Sequence, residues 1–211
     1  ILRFHAVYWP AFLMSAGLPA PKMVFAHGWW MAEGQKMSKS LGNVISPDHL
    51  VQKYGLDATR YFMMREVIFG NDGDFAHTAM VNRVNADLAN NIGNLAQRTL
   101  SQINKNCDAK VPTPGAFSDV DKALLDKAGD ALFKAVQSEF EKLQFSRALE
   151  EIIAVASAAN IYIDEQAPWT LKKTDPARMA TVLYVLAEVI RNLGLILQPF
   201  VPSSAARMLD Q

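Results

Sequence analysis

From Thr78 onward, apolar side chains recur every three or four residues over four long stretches, and that spacing leaves room for little except packed α-helices. The first stretch runs from Thr78, read as its N-cap, to about Asn106. Its stripe is Val81, Val84, Leu88, Ile92, Leu95, Thr99 and Ile103. Three more follow, at about Asp119 to Gln144, Arg147 to Glu165 and Pro176 to Leu197, with Ser118, Ser146 and Asp175 placed as N-caps. A short helix from about Ser203 ends the chain. Val111-Pro112-Thr113-Pro114-Gly115 reads as a stiff linker. Long helices with short connections predict an antiparallel bundle.

The first 75 residues have a different grain. Leu2, His5, Ala6, Trp9, Phe12 and Leu13 keep helical spacing until Gly17, and Met23 to His27 reads as a short buried strand. Trp29 to Gln35, with a Glu33-Gly34 turn signal, is an extended arm or hairpin. Lys36 to Ser46 is a loop. Pro47 to Tyr54 is a helix with Ser46 as N-cap and Gly55 past its end, Asp57 to Val67 is another, and Asn71 to Asp74 is a turn. Asp57 and Arg60 are expected to pair.

Composition narrows the function. Half of the 211 residues are apolar and formal net charge is zero, so neither disorder nor a uniformly basic nucleic-acid binder is indicated. Residues 1–111 carry 11 basic and 8 acidic side chains and residues 112–211 carry 10 and 13, a mild asymmetry. The lone Cys107 allows no internal disulfide and suggests a reducing compartment, and it reads as a bystander at a helix end. The longest uncharged stretch, Asn192 to Ala206, holds Pro199 and Pro202, which argues against a membrane span. The chain opens on Ile1 inside an apolar-periodic segment and is read as part of a longer protein.

Lys36-Met37-Ser38-Lys39-Ser40, followed by Leu41-Gly42-Asn43, sets two ammonium groups three residues apart on a glycine-flanked loop. Such a pair can meet a polyphosphate as point charges while hydroxyls and amides add hydrogen bonds; a solvated loop with two lysines is the plain alternative. The string is identical to the signature loop of class I aminoacyl-tRNA synthetases. The flanks His27-Gly28-Trp29-Trp30 and Leu41-Gly42-Asn43-Val44, the run Tyr54 to Tyr61, Gly93 to Arg98 and Asp164 to Trp169 resemble the methionyl-tRNA synthetase family in particular.

That resemblance implies a mainly α chain. It comprises the end of a Rossmann-like nucleotide-binding α/β catalytic domain (1–35), the signature loop and stem-contact fold (36–75), and an antiparallel anticodon-binding helical bundle (76–211). It implies ATP and Mg²⁺ as cofactors, and L-methionine and tRNA(Met) as partners, with no membrane, in the cytoplasm. Lys36 and Lys39 match catalytic lysines. His27, Lys36, Met37, Ser38, Lys39 and Ser40 match the ATP site, and Ile1, Phe4, His5 and Tyr8 the methionine pocket. Asn94, Arg98 and Trp169 match readers of the CAU anticodon. From the residues alone, His5 could be an ordinary core histidine, Asn94 and Arg98 one solvated helix face, and Trp169 a plug at the bundle's end. The runs at 139–151 and 172–173 read as solvated faces.

The family's His-Ile-Gly-His signature, its acidic partner for the methionine ammonium and its connective insertion, where zinc occurs in some members, find no match here. No metal site is expected in these residues, and the 211 residues alone are expected to be inactive. Two other readings stand: a free-standing tRNA-binding module, and a class I synthetase for another apolar amino acid.

Overall fold

The computed structural model describes residues 1–211. A π-helical turn, Phe4–Tyr8, leads into α1 (Trp9–Ser15). A three-stranded sheet follows, ordered β2-β1-β3: β1 (Trp30–Ala32) pairs antiparallel with β2 (Gln35–Lys36) and parallel with β3 (Gly73–Phe75). Between β2 and β3 lie a 3-10 turn (Lys39–Leu41), α2 (Pro47–Tyr54) and α3 (Leu56–Glu66). One long helix then runs through α4 (His77–Val84), a π-helical stretch (Asn85–Gly93) and α5 (Asn94–Asn106). The bundle is completed by α6 (Asp119–Ala128), α7 (Asp130–Glu141), α8 (Phe145–Gln166), α9 (Pro168–Thr174), α10 (Pro176–Leu197) and α11 (Pro202–Leu209).

The main core lies among α5 to α8, α10 and α11, around Leu149, Ile152, Leu186 and Leu193. Tyr61 of α3 belongs to this core, so the segment after the signature loop is fused to the bundle rather than tethered to it. A smaller core of Leu50, Phe62, Phe75 and Met80 sits under the sheet. By length and composition α10 could cross a membrane, but 61% of its most apolar window is buried inside the bundle.

Several expectations change. Met23 to His27 forms no strand, because no segment of these residues lies alongside to complete a ladder, and Met23 and Phe25 are exposed. Gly73 and Asp74, expected in a turn, belong to β3; the turn falls at 69–70 instead. Its pairing partner lies 43 residues upstream, beyond any local signal. Thr78 caps nothing: α4 begins at His77 after an uncapped Ala76. Val81 faces solvent and Met80 takes its place in the core, with the next buried positions at Asp87 and Ile92. That five-residue step falls within the π-helical stretch, whose hydrogen bonds run i to i+5.

The helix expected over 119–144 is broken at Gly129, which holds φ −89° and ψ −133°. Ser146 is buried inside α8, whose N-cap is Gln144. Ser118 does cap α6, in a capping box with Asp121, and Asp175 caps α10 through the Arg178 amide. Trp169 does not end α8: Ala167 turns left-handed (φ 44°), Pro168 restarts the chain, and Trp169 enters a new short helix.

Asp57 and Arg60 do not pair with each other. Each reaches the far end of the chain instead. Arg60 donates to the carbonyls of Pro199 (2.6 Å) and Phe200 (3.2 Å). Asp57 accepts from the Ser203 and Ser204 amides at 3.4 and 2.5 Å, so it caps α11 from across the fold.

Candidate nucleotide loop and RNA-reading face

The signature loop hangs from a rigid arm. β1 and β2 turn through Glu33 (φ 50°) and Gly34 (φ 77°), a hairpin turn with both central residues left-handed. Two carboxylates from the neighbouring segment hold it. Asp72 accepts from the Trp29 amide at 2.7 Å, and Asp74 accepts from the Gly34 amide through both oxygens at 2.9 and 3.0 Å. Two positions apart on an extended segment, they point to one side, which is how both reach the arm. Behind them, Gly28 lies so near the bend before β3 that a Cβ there would meet the Asn71 carbonyl oxygen at 2.1 Å. Only glycine fits.

Within the loop, Asn43 acts as a staple. Its Oδ1 accepts from the Ser38 amide (2.8 Å) and its Nδ2 donates to the Lys36 carbonyl (3.2 Å). Gly42 turns left-handed at φ 66°, and the Ser38 and Ser40 hydroxyls share a 2.7 Å hydrogen bond. Met37 and Ser38 are half-buried, whereas Lys36, Lys39 and Ser40 are exposed. Neither lysine has a carboxylate partner. Lys36 Nζ stands 5.3 Å from the centroid of Trp29, and Lys39 reaches into solvent.

Trp29 also walls a cleft of about 370 Å³, together with Ile1, His5, Phe25 and His27. The fold therefore gathers three of the sequence-derived residues, Ile1, His5 and His27, around one opening, and brings Lys36 to the same tryptophan. His5 Nδ1 lies 3.0 Å from the Ile1 carbonyl and His27 Nδ1 2.8 Å from the Gly28 carbonyl, which fixes each ring. Phe4 and Tyr8 are not in the cleft. They meet edge to face at 5.4 Å on an exposed helix. No group of three or more His, Cys, Asp or Glu side chains is placed to hold a metal ion.

The second site lies on the bundle. The Arg98 guanidinium carbon stands 5.4 Å from the Trp169 ring centroid, while its Nη2 donates to Asp164 at 2.5 Å. Trp169 keeps 43% of its surface exposed. Asn94 is exposed one turn earlier on α5, beside Asn90 and Gln97 in a shallow polar depression. Asn91 belongs to the framework, since its side-chain amide donates to Ser157 and its oxygen accepts from Asn160. Asp164, Asn43, Asp72 and Asp74 were not singled out from the sequence. The two aspartates flanking a glycine, two apart, carried a usable signal; the other contacts are long-range or local to a loop with no periodicity.

Residues 1–100 match the family model of tRNA synthetases class I (M), and residues 111–211 match that of the anticodon binding domain of methionyl tRNA ligase. The chain belongs to the class I tRNA synthetases, in their methionyl branch. Methionine--tRNA ligase of Brucella suis biovar 1 is 61% identical over 210 residues, and that of Rhizobium meliloti is 58% identical over 210. Both alignments take in all of this chain but only 41% and 40% of the relative. Among solved structures, Mycobacterium tuberculosis methionyl-tRNA synthetase in complex with methionyl-adenylate superposes with a TM-score of 0.96 at 50% identity. That match covers all of this chain and 42% of the other. The chain thus spans about two fifths of the curated relatives it matches.

Proposed function

We propose that this chain supplies the signature loop, the floor of the adenylate cleft and the anticodon-reading bundle of a methionine–tRNA ligase. Residues 1–35 are read as the end of the catalytic domain, 36–75 as loop and stem-contact fold, and 76–211 as the bundle. The observation that carries the reading is the double role of Trp29, which walls the cleft with His5 and His27 and also seats Lys36 of the loop.

In the reaction, a methionine carboxylate oxygen bonds to the α-phosphorus of ATP and the bond to the bridging oxygen breaks. The electron pair leaves with pyrophosphate; a hydroxyl at the 3′ end of tRNA(Met) then bonds to the methionyl carbonyl carbon, and the bond to AMP breaks as AMP leaves. Charge builds on the departing phosphates, and Lys36 and Lys39 are the cations available to neutralise it. Met37, Ser38 and Ser40 present the loop's amides and hydroxyls to the same phosphates. Mg²⁺ bound with the nucleotide would supply further positive charge at the departing phosphates, alongside Lys36 and Lys39. Ile1 and His5 line the side where the methionine thioether would sit, with Phe4 and Tyr8 on the same helix, and His27 would lie beside the adenosine. On the bundle, Trp169 offers a stacking face to an unpaired base, and Asn94 and Arg98 offer base-edge hydrogen bonds.

The test uses the intact gene product that carries this chain. Lys39→Ala should cut ATP–pyrophosphate exchange by about two orders of magnitude with methionine affinity nearly unchanged. Trp169→Ala should weaken tRNA charging and spare exchange. Unchanged exchange in the first variant removes Lys39 from the mechanism, and equal loss of both steps in the second makes Trp169 a folding residue.

A further inference from the structure

The hairpin arm fixes one of the two signature lysines by itself. Lys36 ends β2, paired with Met31 of β1, and its ammonium rests 5.3 Å from the Trp29 centroid. Lys39 has no such support. It opens the 3-10 turn Lys39–Leu41, exposed and outside the sheet, and only Met37 and Ser38 link it to the arm. Each linking residue brings its own pair of soft dihedrals, so where the second ammonium stands depends on what holds those residues.

Asn43 holds them. The peptide group between Lys36 and Met37 presents its carbonyl to Asn43, whose Nδ2 donates to it at 3.2 Å. The next peptide group presents the Ser38 amide, which donates to Asn43 Oδ1 at 2.8 Å. One planar side-chain amide thus clamps both peptide groups that flank Met37. Its partners have opposite polarity, an acceptor and a donor, which an amide matches and neither a carboxylate nor a hydrocarbon does. Beyond the clamp the turn closes on itself. The Leu41 amide donates to the Ser38 carbonyl at 3.2 Å and the Gly42 amide to the Lys39 carbonyl at 3.3 Å. The clamp is anchored in turn, because Ile45, two residues after Asn43, packs against the small core of Leu50, Phe62, Phe75 and Met80.

We propose that Asn43 is a positioning residue for methionine activation. It sets where Lys39 stands relative to Lys36, so that both ammonium groups meet the departing phosphates together. This rests on the lysine roles proposed above. A cation already in place when charge develops needs no reorganisation at that moment, and a displacement of about 1 Å can cost about a hundredfold in rate.

The experiment is a double-mutant cycle in ATP–pyrophosphate exchange, run on the intact gene product. Asn43→Ala should lower the exchange kcat about tenfold, with the methionine KM unchanged and the melting temperature near that of the unaltered protein. Introduced into Lys39→Ala, the same substitution should change nothing further, since nothing is left for it to position. Asn43→Asp keeps the acceptor and loses the donor, and should do no better than alanine. A loss that persists undiminished in the Lys39→Ala background, a loss confined to the methionine KM, or no loss at all overturns the proposal. If Asn43→Ala does not fold, Asn43→Ser carries the same cycle with the same outcomes. If Lys39→Ala leaves exchange unchanged, the lysine reading fails and this proposal falls with it; if Lys39→Ala is impaired and Asn43→Ala is not, Asn43 alone loses its role.

Discussion

Asp121 is fully buried, and what surrounds it determines its charge. Burial by itself would push its carboxyl up. Hydrogen bonds from Arg178 (2.5 and 2.8 Å), from the Tyr162 hydroxyl (2.6 Å) and from the Ser118 amide outweigh that and hold it well below the usual carboxylate range. A carboxyl depressed on folding stabilises the fold above its unfolded pKa of about 4 and loses that contribution as pH falls below it. Tyr162 and Tyr61 behave in the opposite sense. Burial, then the hydrogen bonds to Asp121 and Asp87, raise both phenols, so their contribution is present below pH about 10 and fades as they ionise. Stability should form a plateau between these limits, checked by melting temperature against pH. Asp121→Asn should cost about 3 kcal/mol by leaving Arg178 uncompensated and should flatten the acid limb; an acid limb of unchanged steepness would place its origin elsewhere. Lys36 and Lys39 were legible as a motif because five consecutive residues specify it. Asp164 was not, because its meaning depends on Arg98, 66 residues away.

The same division holds for elements. α2 and α10 match their expected limits because Pro at the first position and a turn residue at the end mark them locally. β3 and α9 carry no such marks: three residues have no period, and the seven residues from Pro168 look like the tail of the preceding helix. Two predictions belong here. Asp57→Ala removes the only side-chain cap of α11 and should cost about 1 kcal/mol. Amide exchange in 202–209 should accelerate while α6 stays protected, and uniform acceleration would contradict a capping role. Gly28→Ala drives a methyl group into the Asn71 carbonyl. It should release β1 from β3 and cost about 2 kcal/mol, read as lost protection at the Glu33 and Gly73 amides, which bond to Phe75 and Trp29.

At the scale of the molecule, residues 1–29 include no buried side chain, whereas α3 shares the main core through Tyr61 and is tied to the bundle by Arg65 to Glu150 and by Arg60 and Asp57 to the C-terminal turn. In hydrogen exchange of the 211-residue chain, 1–29 should exchange within seconds while the bundle and α3 open together; separate opening of α3 would refute the fusion. The widened coil at Asn85–Gly93 carries a further consequence for which lengths this polypeptide tolerates. Excising one residue there would let the rod relax into a regular spiral at little local cost. Because the wide coil already absorbs its extra residue, a regular turn of four would span what five span now, so Asn94 and Arg98 would still meet Trp169. A codon lost from the regular coil of α4 has no such slack: everything beyond it would be clocked round by about 100°. A lineage could therefore shed a residue at the irregular coil and keep the same side towards its RNA, and could not do so one turn earlier.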